Sequence, residues 1–127
     1  MSHRSRLTAV LVDVPAGELD RTASFWAAAI GKEPKTYDKL PEYRGYGEVT
    51  PGIEFMVQGT GDAAPRVHFD IETDDVEAEV ARLKALGATE IGRHHTWVIM
   101  QDPSGTVFCV VTIQVQEMFD RHATSWD

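Results

Sequence analysis

The apolar and polar positions of the first half of the chain follow two different periods, and each period predicts one kind of element. Residues 7–14 are rich in branched apolar side chains and stop at Pro15, which predicts a strand followed by a turn. From residue 18 the apolar positions recur at helical spacing until Gly31, which predicts a helix over 18–31. Prolines and glycines interrupt the next stretch, so three short strands are expected there, around Thr36, at 43–49 and at 53–57.

The second half opens with a strict alternation over residues 66–72. Val67, Phe69 and Ile71 point one way in a strand with this pattern. The opposite face carries polar side chains, which are His68, Asp70 and Glu72. A helix is predicted next, because two aspartates precede a run of apolar residues at helical spacing that ends at a glycine. Further strands are predicted near 89–91, at 96–101 and at 106–113.

The two halves therefore repeat one order of elements, a strand, a helix and three strands. The helical segments 18–31 and 74–87 have the same length and both end in an apolar residue plus glycine. Segment 52–57 also matches segment 105–110, which superposes Phe55 on Phe108 and Met56 on Cys109. We interpret the chain as an internal duplication within a single domain. Its parts are module one (about 7–58), a connector (59–65), module two (about 66–113) and a C-terminal tail (114–127).

This organisation predicts an α+β fold. Two β-α-β-β-β modules pair into a curved, cup-shaped, eight-stranded mixed sheet, and the helices cover its outer side. Concave surfaces are where proteins usually bind small molecules, so a ligand is expected inside the cup.

Several motifs resemble the vicinal oxygen chelate superfamily, in particular its small glyoxalase-like and bleomycin-resistance-like members. The resemblance extends over roughly residues 7–113. It implies the same cup-shaped fold but leaves the reaction open, because members of the superfamily catalyse different reactions or only bind antibiotics. The motifs that carry it are Phe25–Gly31, Arg66–Asp70, Leu83–Ala88, Trp97–Gly105 and the pair Phe108–Cys109.

The resemblance also implies a place for a divalent metal, with ligands from the first and last strands of each module. His68 matches one ligand position, but Cys109 stands where a carboxylate is usual. The internal repeat makes Met56 the corresponding residue of module one and places the counterpart of His68 among residues 10–12, which are Val, Leu and Val. Three of four expected ligands are then missing, and a hard divalent cation is poorly served. We expect a degenerate metal site and no cofactor, with His68 as the ligand if a divalent metal binds.

The candidate site residues follow from strand faces. His68 and Glu54 are the candidate catalytic residues, since an imidazole or a carboxylate in the cup can accept a proton. A soft site for Cu(I) or zinc, built from Met56, His68 and Cys109, is an alternative to plain packing of these side chains. The candidate ligand-binding residues are Met56, His68, Asp70, Trp97 and Cys109.

The amino-acid composition disfavours two kinds of binding partner. With 20 acidic and 12 basic residues the formal net charge is −8, which disfavours nucleic acid and anionic membrane surfaces. The sequence shows neither a signal peptide pattern nor an apolar run long enough to span a bilayer. A single cysteine excludes an internal disulfide, and a cytoplasmic location is expected. The resemblance implies a homodimer.

Two functions remain open at this point. The first is a binding protein of the antibiotic-sequestering kind, in which an acidic and partly aromatic cup captures a small organic molecule. The second is a lyase or isomerase in which His68 or Glu54 transfers a proton, with or without a weakly bound divalent metal. Whether the chain is an enzyme is not decided by the sequence.

Overall fold

The structure is a computed structural model that describes residues 2–61 and 64–127, so part of the expected connector 59–65 lies outside the described residues. Within these residues, eight strands and three α-helices follow one another along the chain. They are β1 (His3–Pro15), α1 (Leu19–Ile30), β2 (Tyr43–Thr50), β3 (Ile53–Thr60), β4 (Arg66–Thr73), α2 (Val76–Ala85), β5 (Thr89–His94), β6 (Trp97–Gln101), β7 (Val107–Thr112), α3 (Gln116–His122) and β8 (Thr124–Trp126). A 3₁₀ turn, Ala16–Glu18, joins β1 to α1.

The strands form a mixed eight-stranded sheet, which confirms the predicted α+β fold class. The chain divides into two compact units, an N-terminal unit of residues 9–68 and a C-terminal unit of residues 1–8 and 69–127. In the first unit the strand order is β2-β3-β1, with β1 and β3 parallel. In the second it is β4-β7-β6-β5, with β4 and β7 parallel. In the described part of the chain, no helix combines the length and apolar character needed to cross a membrane.

The core of the N-terminal unit lies where α1 packs on its strands. Leu19 and Val57 are buried there, together with Val14 and Tyr46, and Trp26 packs against them. The Tyr46 hydroxyl donates a hydrogen bond of 2.6 Å to the carbonyl of Ala23, so its polar end is satisfied within the core. The left-handed Gly31 (φ 71°) ends α1, as the sequence predicts.

The core of the C-terminal unit lies under α2 and repeats this arrangement. Its buried side chains are apolar and come from α2, β6 and β7: Val80, Val98, Met100, Phe108 and Val110. The helix begins after Asp75, whose carboxylate accepts a hydrogen bond of 3.0 Å from the backbone N–H of Ala78. Phe69 and Ile71 of β4 face this core, as the alternation predicts, whereas Val67 at the start of the strand is exposed.

The eighth strand is not the one that the sequence predicts. The segment near Thr36 forms only an isolated bridge between Lys35 and Gly45, because prolines at both ends limit backbone pairing. The missing strand is supplied by the C-terminal tail, where β8 pairs antiparallel with the start of β1. Trp126 of β8 donates a hydrogen bond of 2.9 Å from Nε1 to Ser5 Oγ and lies against the guanidinium of Arg82.

A buried carboxylate on α2 ties these parts of the C-terminal unit together. Glu79 is fully buried and receives His3 Nε2 at 2.7 Å. Arg82 donates to both Glu79 oxygens, at 2.8 and 2.9 Å. Burial by itself would raise the pKa of Glu79, but the hydrogen bonds from Arg82, His3 and Ser5 outweigh it and hold the pKa below its ordinary value.

Replacing Glu79 by glutamine should lower the free energy of unfolding at pH 7 by about 2 kcal/mol, because hydrogen bonds to a charged group are lost. A carboxylate whose folded-state pKa is depressed stabilises the protein above its unfolded pKa, about 4.3, and this contribution disappears as the pH falls through the folded value. The difference between wild type and Glu79→Gln should therefore be full at pH 7 and shrink below about pH 4. Urea unfolding at several pH values measures it.

Glu77→Gln is the matched control. Glu77 lies on the same helix but is exposed and pairs with an exposed arginine, Arg93, so its loss should change stability little. Equal losses in both variants would contradict the structural role assigned to Glu79.

Candidate functional site

Alternation along β1 and β3 places polar and apolar side chains together on the face of the N-terminal unit that α1 does not cover. Val12 and Phe55 belong to the core under α1, so their neighbours in sequence point to the opposite face. Ala9 pairs with Glu54 and Asp13 pairs with Gln58 in the β1–β3 register. This helix-free face therefore carries Leu11, Asp13, Glu54, Met56 and Gln58.

Asp13, on this face, forms a short polar contact with His68. His68 Nδ1 lies 2.6 Å from Asp13 Oδ2, and both side chains are buried. Arg66 Nε donates to the same oxygen at 3.1 Å. A carboxylate accepts only, so Nδ1 carries the proton of this bond and Nε2 is the basic nitrogen of the neutral ring.

The second oxygen of Asp13 is buried without a hydrogen-bond partner among the described residues. Leaving a buried acceptor unsatisfied costs free energy, about 1–3 kcal/mol or more for a charged group. Such groups are uncommon in folded proteins and deserve a functional explanation. The negative charge of Asp13 is therefore only partly compensated by its hydrogen bonds.

Glu72 gives an internal comparison. The register pairs Val10 with Phe55 and Phe69 with Phe108, so Asp13 of β1 and Glu72 of β4 hold equivalent positions in the two units. Glu72 is also fully buried, but its two oxygens accept separate bonds, one of 2.8 Å from Arg6 Nε and one of 2.8 Å from the backbone N–H of Gln114. Both oxygens of Glu72 thus have hydrogen-bond partners that serve the fold, whereas Asp13 uses one oxygen to hold the imidazole of His68.

The same register corrects the expected counterpart of His68. It is Ala9, outside the range 10–12 that the repeat in the sequence indicated. The matching helical segments are 56 residues apart in the sequence, whereas the matching segments 52–57 and 105–110 are 53 apart. Because the offset is not constant along the chain, it does not locate the counterpart of His68 in β1. Ala9 has no donor atom, so the N-terminal unit still lacks the imidazole that the four-ligand pattern requires.

His68 and Asp70 lie on β4, and Cys109 lies on β7. Asp70 pairs directly with Cys109, and His68 is two residues earlier on the same face of β4. His68 and Cys109 are buried, and Asp70 is partly buried. The four-ligand pattern for a hard cation is not met. One nitrogen, one oxygen and one sulfur are instead the donor types that zinc accepts.

Trp97 begins β6 on the face opposite α2, since its neighbour Val98 is in the core. Its ring lies 4.7 Å from the His94 ring and 5.6 Å from the His95 ring, measured between centroids. These three rings form the aromatic group of the β5–β6 turn. The turn has an unusual backbone, because His95 adopts φ 54°.

Glu54 has an aromatic neighbour that the sequence did not suggest. Burial raises the pKa of the Tyr37 phenol, and the negative charge of Glu54 raises it further. The Tyr37 ring lies over Gly45 of β2, and a Cβ at that position would overlap the Tyr37 hydroxyl. The lack of a side chain at Gly45 therefore provides the space that the Tyr37 ring occupies. Because its pKa is raised, the Tyr37 phenol stays protonated at neutral pH and can donate a hydrogen bond.

Sequence reasoning named His68 but missed Asp13 and Arg66. A signal for Asp13 was present, because it is the one charged residue among the branched side chains of 7–14 and has the opposite phase to Val12 and Val14. Arg66 had no such signal, since a charged residue at the start of a strand is ordinary.

Comparison with known proteins supports the fold. A family model described as a glyoxalase-like domain matches residues 9–111. No curated protein sequence matches the chain.

Solved structures resemble the chain in fold at low sequence identity. Methylmalonyl-CoA epimerase from Streptomyces coelicolor, in complex with 2-nitronate-propionyl-CoA, is 18% identical with a TM-score of 0.55, over 84% of this chain and 93% of that one. The Mycobacterium tuberculosis epimerase is 14% identical with a TM-score of 0.56, over 87% and 89%. An NAD-dependent benzaldehyde dehydrogenase from Legionella pneumophila is 10% identical with a TM-score of 0.62, over 84% and 98%.

Replacing Gly45 by alanine should displace Tyr37 and lower the free energy of unfolding by about 1 kcal/mol, because a new methyl group needs space that the ring occupies. The Tyr37→Phe change removes the overlapping hydroxyl, so the double variant should lose less than the sum of the two single variants. A double-mutant cycle measured by urea unfolding tests this.

Gly17→Ala is the control, because nothing lies within 4 Å of a Cβ at that position. Additive effects of Gly45→Ala and Tyr37→Phe would show that the two residues do not share this space.

Proposed function

Because the chain belongs to the glyoxalase-like domain family of the vicinal oxygen chelate superfamily, we propose that it binds a small organic molecule and transfers a proton on it, with His68 as the base. The observation that carries this proposal is the 2.6 Å contact between His68 Nδ1 and Asp13 Oδ2. The reaction class is that of an isomerase or lyase acting on a carbon beside a carbonyl group.

The contact prepares His68 to accept a proton. Asp13 holds the ring in the tautomer whose Nε2 is basic and also fixes the orientation of the ring. When Nε2 gains a proton, the imidazolium lies against a buried carboxylate whose second oxygen has no partner among the described residues. The resulting ion pair stabilises the protonated base, and a positioned base of this kind accelerates a reaction by about 10² to 10⁴.

The proposed step balances without a further reactant. The C–H bond next to the carbonyl breaks, its proton moves to His68 Nε2, and the electron pair moves to the carbonyl oxygen as an enolate. Return of the proton to the opposite face of the carbon gives the epimer, and its delivery to a neighbouring atom gives an isomer. Glu54, on the helix-free face of the N-terminal unit, is the second candidate for proton transfer, and Tyr37 beside it can donate to an oxygen.

The substrate class to test first is an acyl-CoA thioester. Two structurally similar proteins are methylmalonyl-CoA epimerases, and one of them is in complex with 2-nitronate-propionyl-CoA. A thioester acidifies the adjacent C–H bond, which suits a neutral imidazole as base. Met56, Asp70, Trp97 and Cys109 are proposed as ligand-contacting residues.

Binding without chemistry is the second candidate function. The aromatic group of the β5–β6 turn can stack on a planar molecule, and the net charge of −8 favours a cationic one. An antibiotic that is planar and cationic fits both features. The homodimer and the cytoplasmic location expected from the sequence stay predictions.

Solvent deuterium incorporation separates the two functions. Methylmalonyl-CoA and other 2-branched acyl-CoA thioesters are incubated in D₂O with chelator, and deuterium at C2 is followed by NMR. Wild type should exchange, and His68→Gln should lower the rate by about 10² or more. Asp13→Asn should also slow exchange and should change the ¹⁵N shifts of the His68 ring toward the other tautomer.

Glu72→Gln is the matched control, because it removes the equivalent buried charge of the other unit and should leave both the tautomer and the exchange rate unchanged. Exchange that survives His68→Gln would contradict the role of this base. A compound that raises the melting temperature without exchanging deuterium would favour capture over catalysis.

A further inference from the structure

We propose that two copies of this chain associate through the exposed side of α1, with the two helices packed antiparallel. The exposed side chains at the end of the helix, Phe25, Ala28, Ala29 and Ile30, are called the α1 surface. The inference does not depend on the proposed function, because the α1 surface lies on the helix and not on the helix-free face of the N-terminal unit.

The second half of α1 is apolar although it is exposed. Residues 24–31 include no charged side chain, in a chain of which 25% of the residues are charged. The helix buries Leu19 and Ala23 against the strands, whereas Phe25 is 62% exposed and Ile30 is 37% exposed. Apolar side chains that lie together in water usually mark a surface at which a protein associates.

Phe25 is supported by a chain of aromatic rings that reaches the core. Its ring lies 5.2 Å from the Trp26 ring, and Trp26 lies 5.2 Å from Phe55, measured between centroids. Phe55 in turn lies 5.5 Å from the buried Tyr46. These contacts restrict the exposed ring, so less entropy is lost when a partner covers it. Aromatic side chains supply most of the binding energy of many interfaces.

The end of β2 extends the α1 surface. Lys32 Nζ donates a hydrogen bond of 3.1 Å to the carbonyl of Glu48, so the end of β2 lies near the end of α1. Val49, the next residue, is 41% exposed. A single pair of helices buries less than a standard interface of about 1,600 Å², so we expect a dimer with a Kd of about 1–100 µM.

The local charge favours a second copy as the occupant. The whole chain carries a net charge of −8, so two copies repel each other over most of their surfaces. Residues 18–35 are an exception, because 18–21 contain two acids and one base, 22–31 contain no charge, and 32–35 contain two bases and one acid. Two copies can therefore approach each other along α1 without a net repulsion between these segments.

The order of the charges selects the antiparallel arrangement. Asp20 accepts a hydrogen bond from Arg44 but its side chain is 92% exposed, and Lys32 just after the helix is also exposed. An antiparallel pair places Asp20 of each copy beside Lys32 of the other. The two-fold axis then passes midway between these positions, next to Phe25, so the aromatic rings of both copies meet at the centre. A parallel pair would instead place like charges together at both ends.

Sedimentation equilibrium of the full chain measures the association. Phe25→Glu should raise the Kd about 100-fold or more, because each copy then buries a charge at the centre of the contact. Ala29→Arg is a second variant on the same surface and should also weaken the dimer. Leu86→Glu is the matched control, because it adds the same charge at an apolar residue that is 67% exposed at the end of α2, and it should leave the Kd unchanged. Melting temperatures show whether each variant folds.

A charge-swap experiment tests the antiparallel arrangement. Asp20→Lys and Lys32→Glu each place like charges at both ends of their own homodimer, so each variant alone should dimerise more weakly than wild type. In an equimolar mixture the heterodimer should predominate, because both of its contacts again join opposite charges. Native mass spectrometry with one variant labelled with ¹⁵N counts the species, and high salt should reduce the preference.

Three results would overturn parts of this inference. Wild type that stays monomeric up to about 1 mM would exclude the dimer. A dimer whose Kd neither Phe25→Glu nor Ala29→Arg changes would use a surface other than α1. A dimer that depends on Phe25, with no preference for the heterodimer in the mixture, would exclude the antiparallel arrangement.

Discussion

The cost of burying a carboxylate within a strand is the constraint on which both units depend. A buried negative charge must be compensated by donors, and Asp13 and Glu72 meet this need at equivalent positions of β1 and β4. Each accepts a hydrogen bond from an arginine Nε. Glu72 completes its set with a backbone N–H, whereas Asp13 uses a histidine and keeps one oxygen without a partner among the described residues. The equivalent position is structural in one unit, and in the other it holds the imidazole of the proposed base.

The two hydrophobic cores explain why the units can differ at these polar positions. In each unit a helix covers the apolar face of the strands, through Val57 and its neighbours in one and Val110 and its neighbours in the other. Burial of those side chains supplies the main driving force for folding, so the opposite strand faces are free to change. Polar groups such as Glu54 and Asp70 accumulate there because a period of two separates the two faces residue by residue. The stabilising side chains and the candidate functional side chains thus occupy alternate positions of the same strands.

The sequence predicted the features that depend on local periodicity and missed those that depend on pairing between distant residues. The alternation of 66–72 placed His68 and Asp70 on one face of β4. The contact with Asp13 depends on residues 55 positions apart, which no local pattern shows. The strand β8 was missed for a similar reason, because three residues carry no measurable period and pair only through contact with β1.

The Asp13–His68 contact alone does not distinguish a base from a metal ligand, because both roles need a lone pair on Nε2 and a protonated Nδ1. For the proposed base, the contact has two effects. It holds the proton on Nδ1, and it places a buried carboxylate beside the ring that becomes a cation when Nε2 accepts a proton. Both effects come from one carboxylate, so the positions of Asp13 in β1 and of His68 in β4 set the orientation of the ring together with the charge beside it.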